Sequence, residues 1–256
     1  MRFIRFQQQN QEPQYGWIAD ELIGPLVGSP ISEYRRLDAC LELKDVKLLP
    51  PILPTKIVCV GRNYLEHAKE HGAIVQEYPL LFMKPPSSII GHDGKIVLPP
   101  QSQFVHHEAE LAAVIGKRGR WINAGQAQRY ILGFTIANDV TARDLQERDG
   151  QWTRAKGFDT FCPLGPWIDT EVDVSDQMIS CYVNGELRQM ASTREMVFPV
   201  SQLIAYISSI MTLEPGDVIL TGTPAGVGLL KEGDEVEIRI DGIGSLKNRV
   251  VTDSKL

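Results

Sequence analysis

Short apolar runs, separated by glycine, proline and polar turns, dominate the hydrophobic pattern of this chain. Runs of this length between turn-forming residues are typical of β-strands, and runs without alternation are typical of strands buried on both faces. The pattern predicts strands at residues 1–6, 15–19, 57–60, 108–115, 134–139, 218–220, 235–240 and 246–251. Most of the regular structure is therefore expected to be sheet.

Three segments have helical signals instead. Residues 64–71 follow Asn63, a residue type that caps helix N-termini, and a glutamate three positions later completes the pattern of a capping box. Asn123 is predicted to cap a second helix that ends at Gly133, and residues 200–211 carry apolar side chains at helical spacing. Because the few helices do not alternate regularly with the many strands, we predict an α+β, β-rich fold and not a doubly wound one.

A proline-rich stretch divides the chain near residue 50. Residues 49–54 include three prolines, which remove backbone donors and favour extended conformations in the residues before them. We therefore expect a small N-terminal β-rich domain at residues 1–52 and a larger domain at residues 53–256.

Composition and charge argue against several classes of protein. The 256 residues include 26 Lys and Arg against 32 Asp and Glu, a net charge of −6, whereas a nucleic-acid-binding domain has a basic face. No apolar run approaches the roughly 18 residues of a membrane span. The four cysteines are far apart in the sequence, which favours reduced thiols over a disulfide framework. A cytoplasmic protein with no nucleic-acid partner and no membrane partner is expected.

Two glutamates and one aspartate could form a metal site. Alternate side chains of a strand lie on the same face, so Glu108 and Glu110 would point the same way. Asp139, at the end of another predicted strand, could supply a third carboxylate. Three carboxylates with open coordination positions suit Mg²⁺ or Mn²⁺, which prefer oxygen ligands. A solvated strand face is the alternative interpretation, because Glu-x-Glu is a common pattern.

The predicted helix at residues 64–71 carries the pattern H-x-x-E-H over His67, Glu70 and His71. Inverted zinc peptidases bind zinc through two histidines at this spacing, so a zinc hydrolase is one interpretation. In a second interpretation His67 and Glu70 share one helix face and act as a general base and the carboxylate that orients it. A polar helix that faces solvent is the third interpretation.

Six motifs occur in order along residues 56–251. They are Gly61-Arg62-Asn63-Tyr64 with His67 and Glu70, Phe82-Met83-Lys84-Pro85, His107-Glu108-Ala109-Glu110-Leu111, NDVTARDLQ at residues 138–146, Lys156-Gly157-Phe158-Asp159, and LTGTPAGVG at residues 220–228. Together these motifs resemble those of the fumarylacetoacetate hydrolase family. Within that family the chain is most similar to the acylpyruvase-like branch and to the isomerase/decarboxylase branch of the homoprotocatechuate pathway.

The resemblance implies a fold, an assembly and a metal site. The expected fold is a mixed β-sandwich roll, preceded by a small N-terminal β-rich segment, and the expected assembly is a homodimer. Glu108, Glu110 and Asp139 match the positions of the family's ligands for Mg²⁺ or Mn²⁺. These three residues are therefore predicted to bind the cofactor.

The resemblance also implies roles for residues around the metal. His67 and Glu70 match a catalytic dyad on a short lid helix, and Lys156 matches a catalytic lysine that faces the oxygens of the substrate. The residues predicted to contact substrate are Arg62, Lys84, Arg143, Gln146 and Thr223.

The activity implied by the resemblance is that of a Mg²⁺- or Mn²⁺-dependent enzyme acting on a small 2-oxo acid, either acylpyruvate-like or an unsaturated dicarboxylic acid. C–C bond hydrolysis through an enolate that the metal stabilises is the first expectation. An isomerase/decarboxylase of the homoprotocatechuate pathway and an oxaloacetate decarboxylase or tautomerase are alternatives that would use the same site. A zinc hydrolase at His67, Glu70 and His71 is a more remote alternative.

Overall fold

The computed structural model describes residues 1–9, 11–70, 72 and 77–252. In chain order the strands are β1 (Arg2–Gln7), β2 (Gln14–Ala19), β3 (Leu22–Gly28), β4 (Tyr34–Arg36), β5 (Leu41–Glu42), β6 (Lys47–Leu49), β7 (Ile57–Gly61), β8 (Leu80–Lys84), β9 (Ile89–Ile90), β10 (Lys95–Leu98), β11 (Val105–His107), β12 (Ala109–Ile115), β13 (Ile131–Asn138), β14 (Thr141–Ala142), β15 (Cys162–Asp169), β16 (Met178–Val183), β17 (Glu186–Ser192), β18 (Val218–Leu220), β19 (Gly228–Leu229), β20 (Glu235–Ile240) and β21 (Gly244–Thr252).

The helices are short and lie between the strands. They are α1 (Leu65–Glu70), α2 (Arg143–Asp149), α3 (Thr153–Lys156) and α4 (Val200–Ile210), with 3₁₀-helices at Leu43–Asp45, Pro86–Ser88, Ala124–Tyr130 and Thr193–Glu195. Within the described ranges, none of the helices has the length and apolar character that a membrane span requires.

The described strands form three sheets. The largest has thirteen strands, with the order β4-β3-β2-β1-β15-β13-β12-β18-β7-β8, and β5, β6 and β9 pair at its side. A second sheet has the order β10-β21-β20-β16-β17, and a small third sheet has the order β14-β11-β19. Most neighbouring strands are antiparallel, whereas the pairs β7–β18, β9–β15 and β10–β21 are parallel. The predicted α+β, β-rich fold class is confirmed.

Strand β12 lies in the middle of the largest sheet, and every one of its residues is buried. Leu111 and Ala113 face a core cluster that includes side chains of β16, β20 and α4, so the first two sheets and α4 pack around one core. Ala112 and Val114 face a second cluster, which includes side chains of β7 and β15. A strand that is buried on both faces needs no polar alternation, which explains its nearly continuous apolar sequence. Glu110 is the exception, and its charge has to be compensated inside the protein.

The N-terminal strands extend the largest sheet. Strand β1 pairs antiparallel with β15, with Phe3 opposite Ile168, and Phe3 packs in the same core cluster as side chains of β7 and β18. A small apolar cluster of Ile4, Phe6 and Ile23 lies within the N-terminal strands themselves. The sheet is therefore continuous across residue 52, and the division into two domains there stays a prediction.

The second predicted helix is wrong in its type and its end. Asn123 does cap, because its side chain accepts a hydrogen bond from the Gly125 amide, but the element is the 3₁₀-helix Ala124–Tyr130. Gly133 lies inside β13, where a Cβ atom would come within 2.4 Å of the Asp169 carbonyl oxygen. This glycine permits close contact with strand β15, and it does not end a helix.

The predicted capping box at the first helix is also wrong. The side chain of Asn63 is fully buried and does not cap α1. Its amide nitrogen donates to the carbonyl oxygens of Thr221 at 2.7 Å and Phe198 at 3.0 Å, and its oxygen accepts from the Phe198 amide at 2.8 Å. The side chain thus joins the end of β7 to the segment before α4 and to the segment after β18.

We expect Asn63→Ala to destabilise the protein strongly. The substitution leaves one buried backbone group, the Thr221 carbonyl, and two partly buried ones at Phe198 without their partner, and an unsatisfied buried group costs about 1–3 kcal/mol. Urea denaturation would measure the loss in the free energy of unfolding. The control is Asn123→Ala, which removes one exposed capping bond and should cost about 1 kcal/mol. Equal losses in the two variants would contradict the linking role of Asn63.

Candidate active site

Three carboxylates converge where β12 and β13 meet. Glu108 precedes β12, Glu110 lies within it, and Asp139 follows β13. The two strands are antiparallel, with Ala109 opposite Asn138, and the Asp139 amide donates to the Glu108 carbonyl oxygen at 2.9 Å. Ligand oxygens of the three carboxylates lie within 4.8 Å of one another, and all three residues are buried. The structure therefore brings together the three residues that the sequence suggested as metal ligands.

Three cationic side chains surround two of these carboxylates. Lys156 Nζ donates to Glu108 Oε2 at 2.9 Å and to Asp139 Oδ2 at 2.7 Å. Lys84 Nζ donates to Asp139 Oδ1 at 2.6 Å, and Arg143 Nη2 donates to Glu108 Oε1 at 2.5 Å. Counted with all three carboxylates ionised, the cluster has three negative and three positive charges and is neutral as a whole.

The charges of the cluster shift the pKa values of Glu108 and Lys156. Burial opposes the charge on Glu108, but Lys156 and Arg143 outweigh it and lower the pKa of that carboxyl. Burial also opposes the charge on Lys156, but Asp139 and Glu108 outweigh it and raise the pKa of the ammonium. Both groups therefore carry their charge at neutral pH.

Glu110 lacks such a cationic partner among the described residues. Its Oε2 accepts a hydrogen bond from the Gly222 amide at 2.6 Å. Burial, and then the charges of Asp139 and Glu108, raise the pKa of Glu110 well above its ordinary value. Gly222 has a φ of +99°, and a Cβ atom there would come within 2.6 Å of Asn63 Cβ. Only glycine can therefore present this amide to Glu110 without strain.

The donor set and its electrostatics fit a hard divalent cation. All three ligand side chains offer oxygen, and their spacing allows one ion to reach all of them. A cation at Glu110 would also remove the repulsion that raises the pKa of this carboxyl. Glu108, Glu110 and Asp139 are thus a candidate centre for Mg²⁺ or Mn²⁺.

The imidazole of His67 is buried, and its Nδ1 lies 3.4 Å from Glu70 Oε2. The Gly226 amide donates to both oxygens of the Glu70 carboxylate, at 3.2 and 3.3 Å. A histidine held by an anchored carboxylate has the geometry of a general base and its orienting group. Helix α1 therefore buries one face and does not simply lie in solvent.

His71, the second histidine of the zinc pattern, lies outside the described residues, and so does part of the predicted lid around it. The zinc-hydrolase interpretation and the lid both stay predictions.

A cavity of about 190 Å³ opens between α1, α2, α3 and β8. Its wall includes His67, Glu108 and Lys156, together with the predicted substrate contacts Arg62, Arg143 and Gln146. Arg143 Nη1 donates to Gln146 Oε1 at 2.7 Å, so one of these contacts orients another.

Two other predicted substrate contacts lie behind this wall. Lys84 is fully buried and bonded to Asp139, and Thr223 accepts a hydrogen bond from Gln189 Nε2 at 2.8 Å. Neither is among the described residues that line the cavity. Their contact with substrate stays a prediction, whereas in the structure Lys84 bonds to one of the three carboxylates and Thr223 bonds to Gln189.

Sequence reasoning missed two aromatic wall residues and one buried amide. Phe82 and Trp152 pack edge to face, with ring centroids 5.1 Å apart, and Lys156 Nζ lies 4.8 Å from the centroid of Phe82. Gln189 is buried between the acidic strand and the loop after β18. Phe82 belongs to a recognised motif, but nothing local in the sequence marks Trp152 or Gln189, because both reach the site only through the fold.

Comparisons with known proteins agree with the geometry. A family model described as fumarylacetoacetate (FAA) hydrolase C-terminal matches residues 56–251, and one described as Rv2993c-like, N-terminal matches residues 1–51. The human mitochondrial protein named oxaloacetate tautomerase FAHD2B is 49% identical over 224 residues, which cover 82% of this chain and 71% of that protein.

Solved structures are similar over nearly the whole chain. The 5-carboxymethyl-2-hydroxymuconate delta-isomerase of Mycobacterium smegmatis has 43% identity and a TM-score of 0.93, with 99% of this chain and 100% of that chain covered. The fumarylpyruvate hydrolase of Pseudomonas aeruginosa, solved in complex with Mn²⁺ and pyruvate, has 35% identity and a TM-score of 0.75, with 81% of this chain and 92% of that chain covered.

The match of the family model covers most of the chain, and the similar proteins include an isomerase, a hydrolase and a tautomerase. The resemblance that the six motifs indicated is therefore confirmed: the chain belongs to the fumarylacetoacetate hydrolase family.

Proposed function

We propose that this protein is a Mg²⁺- or Mn²⁺-dependent enzyme that acts on 2-oxo acids by moving a proton at the carbon next to the ketone. The observation that carries the proposal is the oxygen cluster of Glu108, Glu110 and Asp139 beside the buried dyad of His67 and Glu70. A 2-oxo acid needs both parts, because its enolate requires a stabilised negative charge and a base that removes the proton.

The three carboxylates would hold the ion. When bound, a divalent cation supplies Lewis-acid stabilisation of the charge that develops on the ketone oxygen. Hydrogen bonds from Lys84, Lys156 and Arg143 hold Asp139 and Glu108 in place, so these ligands are preorganised.

The charge of the site supports an anionic substrate. The charges of the three carboxylates, when all are ionised, are cancelled by the charges of Lys84, Lys156 and Arg143. A divalent ion would therefore leave the centre positive. Arg62 adds a further cationic donor to the cavity wall, and guanidinium groups bind carboxylates with two parallel hydrogen bonds. We therefore propose a 2-oxo dicarboxylic acid as the substrate class.

His67 would act as the base. With Nδ1 directed at Glu70, the ring would take the proton from the carbon at Nε2 and return one to the ketone oxygen. Glu70 stabilises the imidazolium that forms, and Gly226 holds Glu70 in position. Keto–enol tautomerisation needs only these two proton transfers, and we place it first because a relative that is 49% identical over 82% of this chain is named an oxaloacetate tautomerase.

Hydrolysis of a C–C bond in an acylpyruvic acid is the second candidate, and the dyad is the observation that favours it. His67 could take a proton from water, and the hydroxide would attack the acyl carbonyl. The C3–C4 bond then breaks, its electron pair passes to the pyruvate enolate, and a proton converts that enolate to pyruvate. The similar hydrolase from Pseudomonas aeruginosa, solved with Mn²⁺ and pyruvate, makes this reaction worth testing.

A substrate panel separates these reactions. The metal-free enzyme would receive Mg²⁺, Mn²⁺ or Zn²⁺ together with oxaloacetate, acetylpyruvate or 2-hydroxyhepta-2,4-diene-1,7-dioate, and NMR in D₂O would follow the products. Tautomerisation exchanges deuterium at C3 and preserves the carbon skeleton, hydrolysis of acetylpyruvate yields pyruvate and acetate, and decarboxylation of oxaloacetate releases CO₂. Absence of turnover of all three acids with Mg²⁺ and Mn²⁺ would refute the proposal, and activity with zinc alone would favour the zinc hydrolase.

The carboxylate variants should separate metal binding from folding. We expect Glu110→Gln and Asp139→Asn each to weaken Mn²⁺ binding by more than about 100-fold, because residues that merely support a ligand already account for 10–100-fold. Asp139→Asn should also lower the unfolding free energy of the metal-free protein by about 3–5 kcal/mol, because it leaves Lys84 buried without its carboxylate.

Glu110→Gln is the matched variant, because it removes a buried charge that faces two others and keeps an acceptor for Gly222. Its metal-free stability should equal or exceed that of the unsubstituted protein. Calorimetric titration with Mn²⁺ and urea denaturation in EDTA test both statements. Unchanged Mn²⁺ affinity in either variant, or equal destabilisation of the two, would contradict the assignment.

Substitutions in α1 should separate the dyad from the zinc pattern. We expect His67→Ala to lower kcat by ~10²–10⁴-fold, the usual effect of losing a general base, whereas His71→Ala should leave kcat nearly unchanged. Steady-state kinetics with Mg²⁺ would measure both effects. Large and equal losses in the two variants, with zinc retained on purification, would favour the zinc site instead.

A further inference from the structure

Gln189 is a buried amide on an edge strand. It lies on β17, the last strand of the five-stranded sheet, and its side chain points inward while Arg188 and Met190 on either side are exposed. The residue is 1% exposed. A buried primary amide has up to four hydrogen bonds to satisfy, so its partners show what it holds together.

The hydrogen bonds of this amide join two segments that are distant in sequence. Oε1 accepts from the Ala109 amide at 3.0 Å. Nε2 donates to the Pro224 carbonyl oxygen and to Thr223 Oγ1, both at 2.8 Å. The orientation of the amide is unambiguous, because a backbone N–H can only donate and a backbone carbonyl can only accept.

The first of these segments carries the metal ligands. Ala109 lies between Glu108 and Glu110, so a hydrogen bond to its amide holds the backbone between the two glutamates. The oxygen of Gln189 also lies 3.0 Å from His107 Nδ1, which must then carry a hydrogen and donate it. Gln189 thus binds two groups of the segment 107–109, where β11 ends and β12 begins beside the two glutamates.

The second segment carries two other groups of the site. We name residues 221–226 the glycine loop. Its Gly222 amide donates to Glu110, and its Gly226 amide donates to Glu70. The loop therefore contacts one metal ligand and the carboxylate that orients the base, and Gln189 holds it through Thr223 and Pro224.

We propose that Gln189 is a positioning residue that fixes the glycine loop against the strand of the metal ligands; the inference deepens the proposed function and rests on it. With this amide in place, Glu110 keeps its backbone donor and Glu70 keeps its anchor at the same time. Without it, the loop can move away from the strand, and both carboxylates lose a defined position.

The test compares two buried amides that have similar bonds and different surroundings. Gln189→Met keeps the length of the side chain and removes its hydrogen bonds. The control is Asn248→Leu, because the buried side chain of Asn248 donates to the carbonyl oxygens of Gly91 and Gly94, at 2.9 Å each, and to no group of the site. Both variants should lose stability, but only Gln189→Met should weaken Mn²⁺ binding and speed amide exchange in the glycine loop.

The readouts are the affinity for Mn²⁺, measured by calorimetry, and amide hydrogen exchange. In Gln189→Met we expect the dissociation constant for Mn²⁺ to rise about 10–100-fold. The amides of Gly222 and Gly226 should exchange faster than in Asn248→Leu. Wild-type Mn²⁺ affinity in a folded Gln189→Met, or an equal loss in Asn248→Leu, would overturn the proposal.

A second variant covers the case in which Gln189→Met does not fold. Gln189→Glu keeps an acceptor for Ala109 and loses the donor to Thr223 and Pro224, so Mn²⁺ should bind more weakly and Gly226 should exchange faster while the Ala109 amide stays protected. Unchanged exchange at Gly226 would contradict the role of Gln189. If the unsubstituted protein binds no Mn²⁺, the metal centre fails, and the exchange arm alone decides whether Gln189 holds the loop.

Discussion

The charge balance of three buried carboxylates is the constraint on which the rest of the site depends. Burying an unpaired carboxylate costs several kcal/mol, so a strand in the middle of the protein can carry Glu110, and be flanked by Glu108, only if other elements supply compensation. Strand β8 supplies Lys84, and helices α2 and α3 supply Arg143 and Lys156. These short elements thus bring three cations to the carboxylates at the N-terminal end of β12.

The compensation is uneven, and this unevenness gives the site its chemistry. Glu108 and Asp139 each accept hydrogen bonds from two cations, whereas Glu110 accepts one from a backbone amide. In the proposed function, a divalent ion would make this centre positive, which would suit an anionic substrate. His67 on α1 would then act as a base beside fixed charges that would stabilise a developing enolate with little reorganisation.

The side-chain amides of Asn63 and Gln189, which come from different elements, hold the backbone of the glycine loop. Asn63 binds the Thr221 carbonyl from the end of β7, and Gln189 binds Thr223 and the Pro224 carbonyl from β17. Each amide satisfies backbone groups that the irregular loop could not pair with itself. A loop that is fixed in this way can offer amide donors to carboxylates from two different elements.

Sequence by itself determined the class of fold and identified the three carboxylates that the structure brings together. Apolar runs and helical spacing are local properties, so strands such as β7 and helix α4 were predictable, and residue types alone pointed to an oxygen-rich metal site. Only the tertiary structure decided which hydrogen-bond partners the buried polar side chains have. Asn63 and Gly133 looked like helix signals, yet one bonds to Thr221 and the other packs against β15. The contact of Lys84 with substrate stays a prediction, but only the structure shows that Lys84 bonds to Asp139, 55 residues away. The physical reason is that a buried polar group needs a hydrogen-bond partner. Because the strands of this sheet pair with strands that are distant in sequence, that partner lies on an element that sequence spacing does not identify.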